Sequence, residues 1–141
     1  MRRHLIAMLA FIPFPAFAGD VVVSLGGLPS ADGVVEVSLC TEETWLTENC
    51  VSQTVRADAE PLSTTFTDVA PGVYGVVAVH DENENGEMDM RWYGAPKEFY
   101  GASNNPEKRR GPDRFDDAKF EVADEPVALE IVLRGWGKGR R

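Results

Sequence analysis

Cysteine and histidine are scarce in this 141-residue chain, at two each, and that scarcity removes whole classes of chemistry. Structural zinc sites draw several Cys and His ligands from short spacings, whereas Cys40 and Cys50 have no histidine near them. The Cys-x-x-Cys spacing of a redox dithiol is missing. So are phosphate loops, dinucleotide fingerprints, zinc-hydrolase motifs and the nucleophile elbow of a serine hydrolase. No stretch of about a dozen residues keeps a helical period. Basic residues are in deficit, 14 Lys and Arg against 23 Asp and Glu, for a formal net charge of −9. Such a surface repels nucleic acid and anionic lipid and favours cations or basic partners.

Long hydrophobic runs are missing as well. Leu5–Phe14 is apolar but broken by Pro13, well short of the ~20 residues that span a bilayer. With Arg2, Arg3 and His4 before it and Ala16-Phe17-Ala18 after it, the segment reads as a signal peptide over residues 1–18. The expectation is therefore an exported chain, periplasmic or secreted. It has one domain over residues 19–134, a frayed basic tail over 135–141 and no integral membrane segment after cleavage. In an oxidising compartment Cys40 and Cys50 are expected to pair as a disulfide.

What is present reads as strands. Val21–Leu25 opens the domain, and Gly26-Gly27-Leu28-Pro29-Ser30 stops it. Val35, Val37 and Leu39 alternate with Glu36, Ser38 and Cys40, which predicts one covered face. Trp45 and Leu46 are expected to fold back over the core. Weaker alternation follows at Val51, Gln53 and Val55, then at Leu62, Thr64 and Phe66. Val73–Val79 is the strongest strand, with Gly75 marking a bulge or a close backbone approach. Phe120 with Val122, and then Val127–Leu133, complete the set. The fold class predicted is all-β: an antiparallel β-sandwich of about seven strands, with a small closed barrel as the alternative. A long irregular loop lies between Met90 and Phe115.

The run Asp81-Glu82-Asn83-Glu84-Asn85-Gly86-Glu87-Met88-Asp89 concentrates the candidate chemistry. Asp81, Asn83 and Asn85 stand at relative positions one, three and five, with Gly86 at six, as in a calcium loop. Glu87 offers its carbonyl at seven and Asp89 a carboxylate at nine. Trp92 stands where an EF-hand has its bidentate glutamate, so either the site is weak and wet or a missing ligand comes from elsewhere, with Glu98 one candidate and Asn104 and Asn105 as oxygen donors if the long loop folds back. Hard oxygen donors suit calcium, with magnesium as the second choice. The competing reading is an Asx-rich turn whose side chains serve backbone amides. Trp92, Tyr93, Phe99 and Tyr100 either pin the long loop or present a stacking surface. In the latter case Trp92, Tyr93 and Tyr100, with Asn104 and Asn105 as polar contacts, would be ligand-binding candidates for an envelope glycan or protein. Trp136 is expected over an end of the core.

Two functions are compatible with these residues. One is a calcium-stabilised, non-enzymatic binding or structural module. The other is a hydrolase of glycan or peptide using His80, Asp89 or Glu98, although His80 reads more simply as a strand-end residue steadying the loop.

Several segments also match a known pattern. They are Phe66-Thr67-Asp68-Val69-Ala70-Pro71-Gly72-Val73-Tyr74, Val79-His80-Asp81-Glu82-Asn83-Glu84-Asn85-Gly86, Gly94-Ala95-Pro96-Lys97-Glu98 and Tyr100-Gly101-Ala102-Ser103-Asn104-Asn105. With Phe115-Asp116-Asp117-Ala118-Lys119-Phe120 they resemble an uncharacterised family of small exported bacterial proteins, domain of unknown function 2141, across nearly all of Gly19–Leu133. The resemblance implies a prealbumin-like or immunoglobulin-like β-sandwich in a Gram-negative envelope. It implies no reaction, substrate or partner, since a sandwich scaffold carries many unrelated sites.

Overall fold

The computed structural model describes residues 18–107 and 111–136. The expected signal peptide and most of the expected tail therefore lie outside the described residues. Strands form where β-branched residues alternate. Along β1 (Gly19–Gly26) Val21, Val23 and Leu25 are buried, and along β2 (Val34–Cys40) Val35, Val37 and Leu39 are. β3 (Val51–Arg56) and β4 (Ser63–Val69) follow. In β5 (Gly72–Asp81), Val76, Ala78 and His80 face inward, leaving Val77 and Val79 on the outer face. β6 (Phe99–Ala102), a single helical turn α1 (Phe115–Ala118), β7 (Phe120–Val122) and β8 (Val127–Val132) complete the order.

The strands make two sheets, β4-β1-β8 and β3-β2-β5-β6, with β7 beside the start of β5. Val21, Val23, Val35, Val37, Phe66, Val76 and Ile131 meet in the core. The sandwich predicted from alternation is present, with eight strands. One pairing departs from the antiparallel expectation: β8 runs parallel to β1, from Val21 opposite Val127 to Gly26 opposite Val132. A parallel pair needs a long crossover, and here nearly the whole domain lies between the two strands.

Both sides of the sandwich are laced. Gln53 Nε2 donates to the Thr65 carbonyl at 3.2 Å, and the Thr64 hydroxyl donates to Gln53 Oε1, joining β3 to β4. Opposite them, Tyr100 and Arg134 exchange backbone hydrogen bonds of 3.1 and 2.9 Å.

The Cys40–Cys50 disulfide is formed and closes the connection between β2 and β3. Trp45, in that connection, does not cover the core. It lies on the outer face, edge-on to Phe115 at 5.6 Å, and its Nε1 donates to the Asp113 carbonyl at 2.9 Å. A Cβ at Gly75 would stand 2.6 Å from the Trp45 ring, while the β2–β5 register runs through Gly75 without a break. Of the two expectations for Gly75, close approach is the one realised.

Candidate functional site

β5 ends on Asp81, which is buried, and the chain then wraps around that carboxylate. Asp81 Oδ2 accepts the Gly86 N–H at 2.8 Å and Oδ1 accepts the Asn85 N–H at 3.3 Å. Gly86 has φ 71°, a left-handed conformation that glycine takes without steric cost. Asn83 and Asn85 turn inward, their Nδ2 groups donating to the two Asp89 oxygens at 2.8 and 3.0 Å. Those amides hold the Asp89 carboxyl below the usual carboxylate range. Asn85 Oδ1 also accepts the Glu87 N–H at 3.0 Å.

Glu98 reaches the same place from just before β6. It is 7% exposed, and its Oε2 accepts the Asp89 N–H at 2.7 Å. Oε1 is buried with no hydrogen-bond partner. Burial pushes the Glu98 carboxyl up; the Asp89 amide opposes this, and the Asp89 and Asp81 charges add to the rise.

Asp81, Asn83, Asn85, Asp89 and Glu98 are thus gathered in one turn, linked by hydrogen bonds. Glu82, Glu84 and Glu87 are exposed. Among the described residues, no three His, Cys, Asp or Glu side chains form a group able to hold a metal. The three carboxylates, Asp81, Asp89 and Glu98, therefore do not converge on one ion position in this conformation. The bonds of the Asx-rich turn are present at Asp81 and at Asn85.

The remaining candidates divide. Trp92 is 96% exposed and Tyr93 57%, stacked edge-on against each other at 5.4 Å, so neither pins the loop. Its own backbone orders it, with Arg91 N–H bonded to Ala95 O, Gly94 N–H to Arg91 O and Lys97 N–H to Asp89 O. Phe99 packs against the core. Asn104 and Asn105 act as struts. Asn104 Nδ2 donates to the Lys119 carbonyl at 2.9 Å; Asn105 Nδ2 donates to Glu130 O at 2.7 Å and its Oδ1 accepts the Val132 N–H at 2.8 Å. Their amides are engaged by the main chain, not presented to a ligand. His80 is fully enclosed, with Nε2 2.6 Å from the Asp32 carbonyl in the β1–β2 connection and Nδ1 3.9 Å from Glu82 Oε1 at the start of the acidic loop. Ser103, also fully buried, donates to Ala118 O and accepts the Val76 N–H.

A groove of about 300 Å³ lies next to the acidic loop on the outer face of the five-stranded sheet. Val77, Val79 and Tyr100 line it, together with Leu46, Met88, Met90 and Trp136. Trp136 therefore faces this groove and does not cap the core. At the edge of the lining, Asp113 forms an ion pair of 3.1 Å with Arg134, their side chains 10% and 8% exposed, and Arg134 also donates to the Pro106 carbonyl at 2.7 Å. Sequence reasoning missed this pair because nothing local marks two charges so far apart in the chain as partners.

No curated protein and no solved structure gives a match to this chain. The model of the family described as uncharacterized proteins conserved in bacteria, DUF2141, matches residues 23–130. That span exceeds half of the sequence and carries the acidic loop, the groove floor and most of both sheets, and the chain belongs to this family.

Proposed function

We propose that this is an exported, calcium-stabilised binding module of the cell envelope, without catalytic activity of its own. The observation that carries the reading is the buried Glu98 carboxyl, set against Asp89 and Asp81 with no donor to its Oε1. A buried acceptor without a donor costs about 1–3 kcal/mol, and a carboxylate among like charges costs more. A hard divalent cation that drew Asp81, Asp89, Glu98 and the two asparagines together would relieve both, and the loop would have to close further to bring the three carboxylates onto it. Oxygen and nitrogen of an asparagine amide exchange places by a half-turn about the last bond. Turned that way, Asn83 and Asn85 offer oxygens to an ion that Asp89 also faces, at the cost of the Asn85–Glu87 bond and of both amide bonds to Asp89, which the ion's own bonds to that carboxylate replace. When bound, the ion supplies charge neutralisation and a fixed loop shape.

The loop's shape matters because Met88, between the metal-facing residues, forms part of the groove wall. Ordering the loop orders the wall. The disulfide suits an oxidising compartment and so agrees with export.

The hydrolase reading has one observation in its favour. Asp89 is held below and Glu98 pushed above the usual carboxylate range, the division that acid–base pairs use. Neither residue lines the groove, however, and His80 is closed off in the core.

The test is thermal unfolding after chelation, with calcium or magnesium added back. Stabilisation by calcium that disappears in an Asp81→Ala/Asp89→Ala double variant supports the site. Identical melting with chelator and with excess calcium removes it.

A further inference from the structure

We infer that the groove on the outer face of the five-stranded sheet takes a small amphiphile with an apolar body and a cationic end. The inference rests on the binding-module reading but not on the ion. The groove's volume, about 300 Å³, is at the lower end for sites that enclose small molecules. That volume fits an alkyl body and not a folded partner. Leu46, Met88 and Trp136 are 49%, 40% and 37% exposed around it, apolar surface open to a ligand. A flexible thioether side chain adapts to alkyl bodies of varied shape. Asp113, the carboxylate in the lining, is already paired with Arg134.

Charge fixes the other end of the ligand. Past Val79 and Met88 the groove adjoins a second hollow of about 210 Å³, lined by Glu36, Asp81 and Glu87. Asp81, whose oxygens also accept two backbone amides, adds its charge from the loop side. Glu36 and Glu87 are exposed, and neither joins any ion pair among the described residues. A cationic head here meets two carboxylates while its tail leaves water against Val77 and Val79.

Three probes with one tail test this on the full chain: octyltrimethylammonium, octyl glucoside and octanoate, each below its micelle-forming concentration. Binding is read by calorimetry and by tryptophan fluorescence, with and without calcium. The expected result is saturable binding with the cation tightest, by about two- to fivefold over the neutral probe, and octanoate weakest. A Glu36→Gln/Glu87→Gln variant should narrow the gap between the cationic and neutral probes. Leu46→Asn and Met88→Gln, both at exposed rim positions, should weaken all three probes by about threefold or more, with unchanged circular dichroism. The inference is overturned if none of the probes binds folded protein, if octanoate binds tightest, or if Met88→Gln leaves affinity unchanged. A self-association that excludes the probes and is abolished by Met88→Gln also overturns it, by making a second copy the occupant. Calcium titrated in parallel separates the two readings: ion binding without probe binding sinks only the amphiphile, and the reverse sinks only the ion.

Discussion

The Asp89 backbone N–H donates to Glu98 Oε2 at 2.7 Å, and the other oxygen of the same Glu98 carboxyl is buried without a donor. One side chain therefore steadies the acidic loop and strains it electrostatically, because Asp81 and Asp89 both bear on it. Glu98→Gln keeps an oxygen for the Asp89 amide and replaces the orphaned acceptor with a donor. The calcium-free variant should melt about 3–6 °C above the wild type, while its calcium affinity falls. Scanning calorimetry with and without chelator reads both effects.

Gly75 and Trp45 give a steric prediction. A methyl at position 75 would meet the indole at 2.6 Å, and that ring is held by Phe115 and by the Asp113 carbonyl. Gly75→Ala should destabilise the domain by about 1–3 kcal/mol in urea unfolding, with little change in slope.

The Arg134–Asp113 pair gives an electrostatic one. Asp113→Leu leaves a buried guanidinium without its counter-charge, with only the Pro106 carbonyl and the Tyr100 hydroxyl as partners, and should cost about 3–5 kcal/mol. Replacing both residues together, as Asp113→Leu/Arg134→Met, should cost less than Asp113→Leu alone or Arg134→Met alone. Equilibrium unfolding of the four proteins measures the coupling directly.

Tyr100 supplies the pH dependence. Burial raises its phenol above the ordinary value, the Asp113 charge adds to the rise, and Arg134 opposes it. A raised folded-state value means the unfolded chain ionises first. Tyr100 therefore contributes stability that is complete below pH ~10 and is lost as pH climbs through the folded value. The ultraviolet tyrosinate titration of wild type minus Tyr100→Phe should show a step above pH ~10. A step at or below that value contradicts the assignment.

Much of the architecture could be read because its signals are local. Val35, Val37 and Leu39 announce a covered face, and Val73–Val79 announces the strand that proves to be β5. Where the signal is not local, the sequence is silent. β6 is four residues long and contains Gly101, too short to display alternation, so it was absorbed into the expected loop. In β4, Phe66 and Val69 both face the core although their spacing breaks period two. A register irregularity between Gly19 and Val21 explains this, with Asp68 at φ 54° and its N–H bonded to Asp20 Oδ1. The parallel β1–β8 pairing depends on residues a domain apart. At the site, spacing singled out the loop in which Asp81, Asn83, Asn85 and Asp89 are linked by hydrogen bonds and to which Glu98 bonds from outside; their binding of an ion is the proposal. Spacing could not foretell that Asn104 and Asn105 serve the backbone, because an asparagine looks the same whether it binds a ligand or a carbonyl.

The most direct measurement is isothermal titration of calcium into the chelated chain, beside an Asp89→Ala/Glu98→Ala variant. The account predicts one saturable site of about 10⁻⁴–10⁻³ M, the range of extracellular modules with few charged ligands, and its loss in the variant. Flat heats in the wild type at millimolar calcium, or equal binding by both proteins, would contradict it.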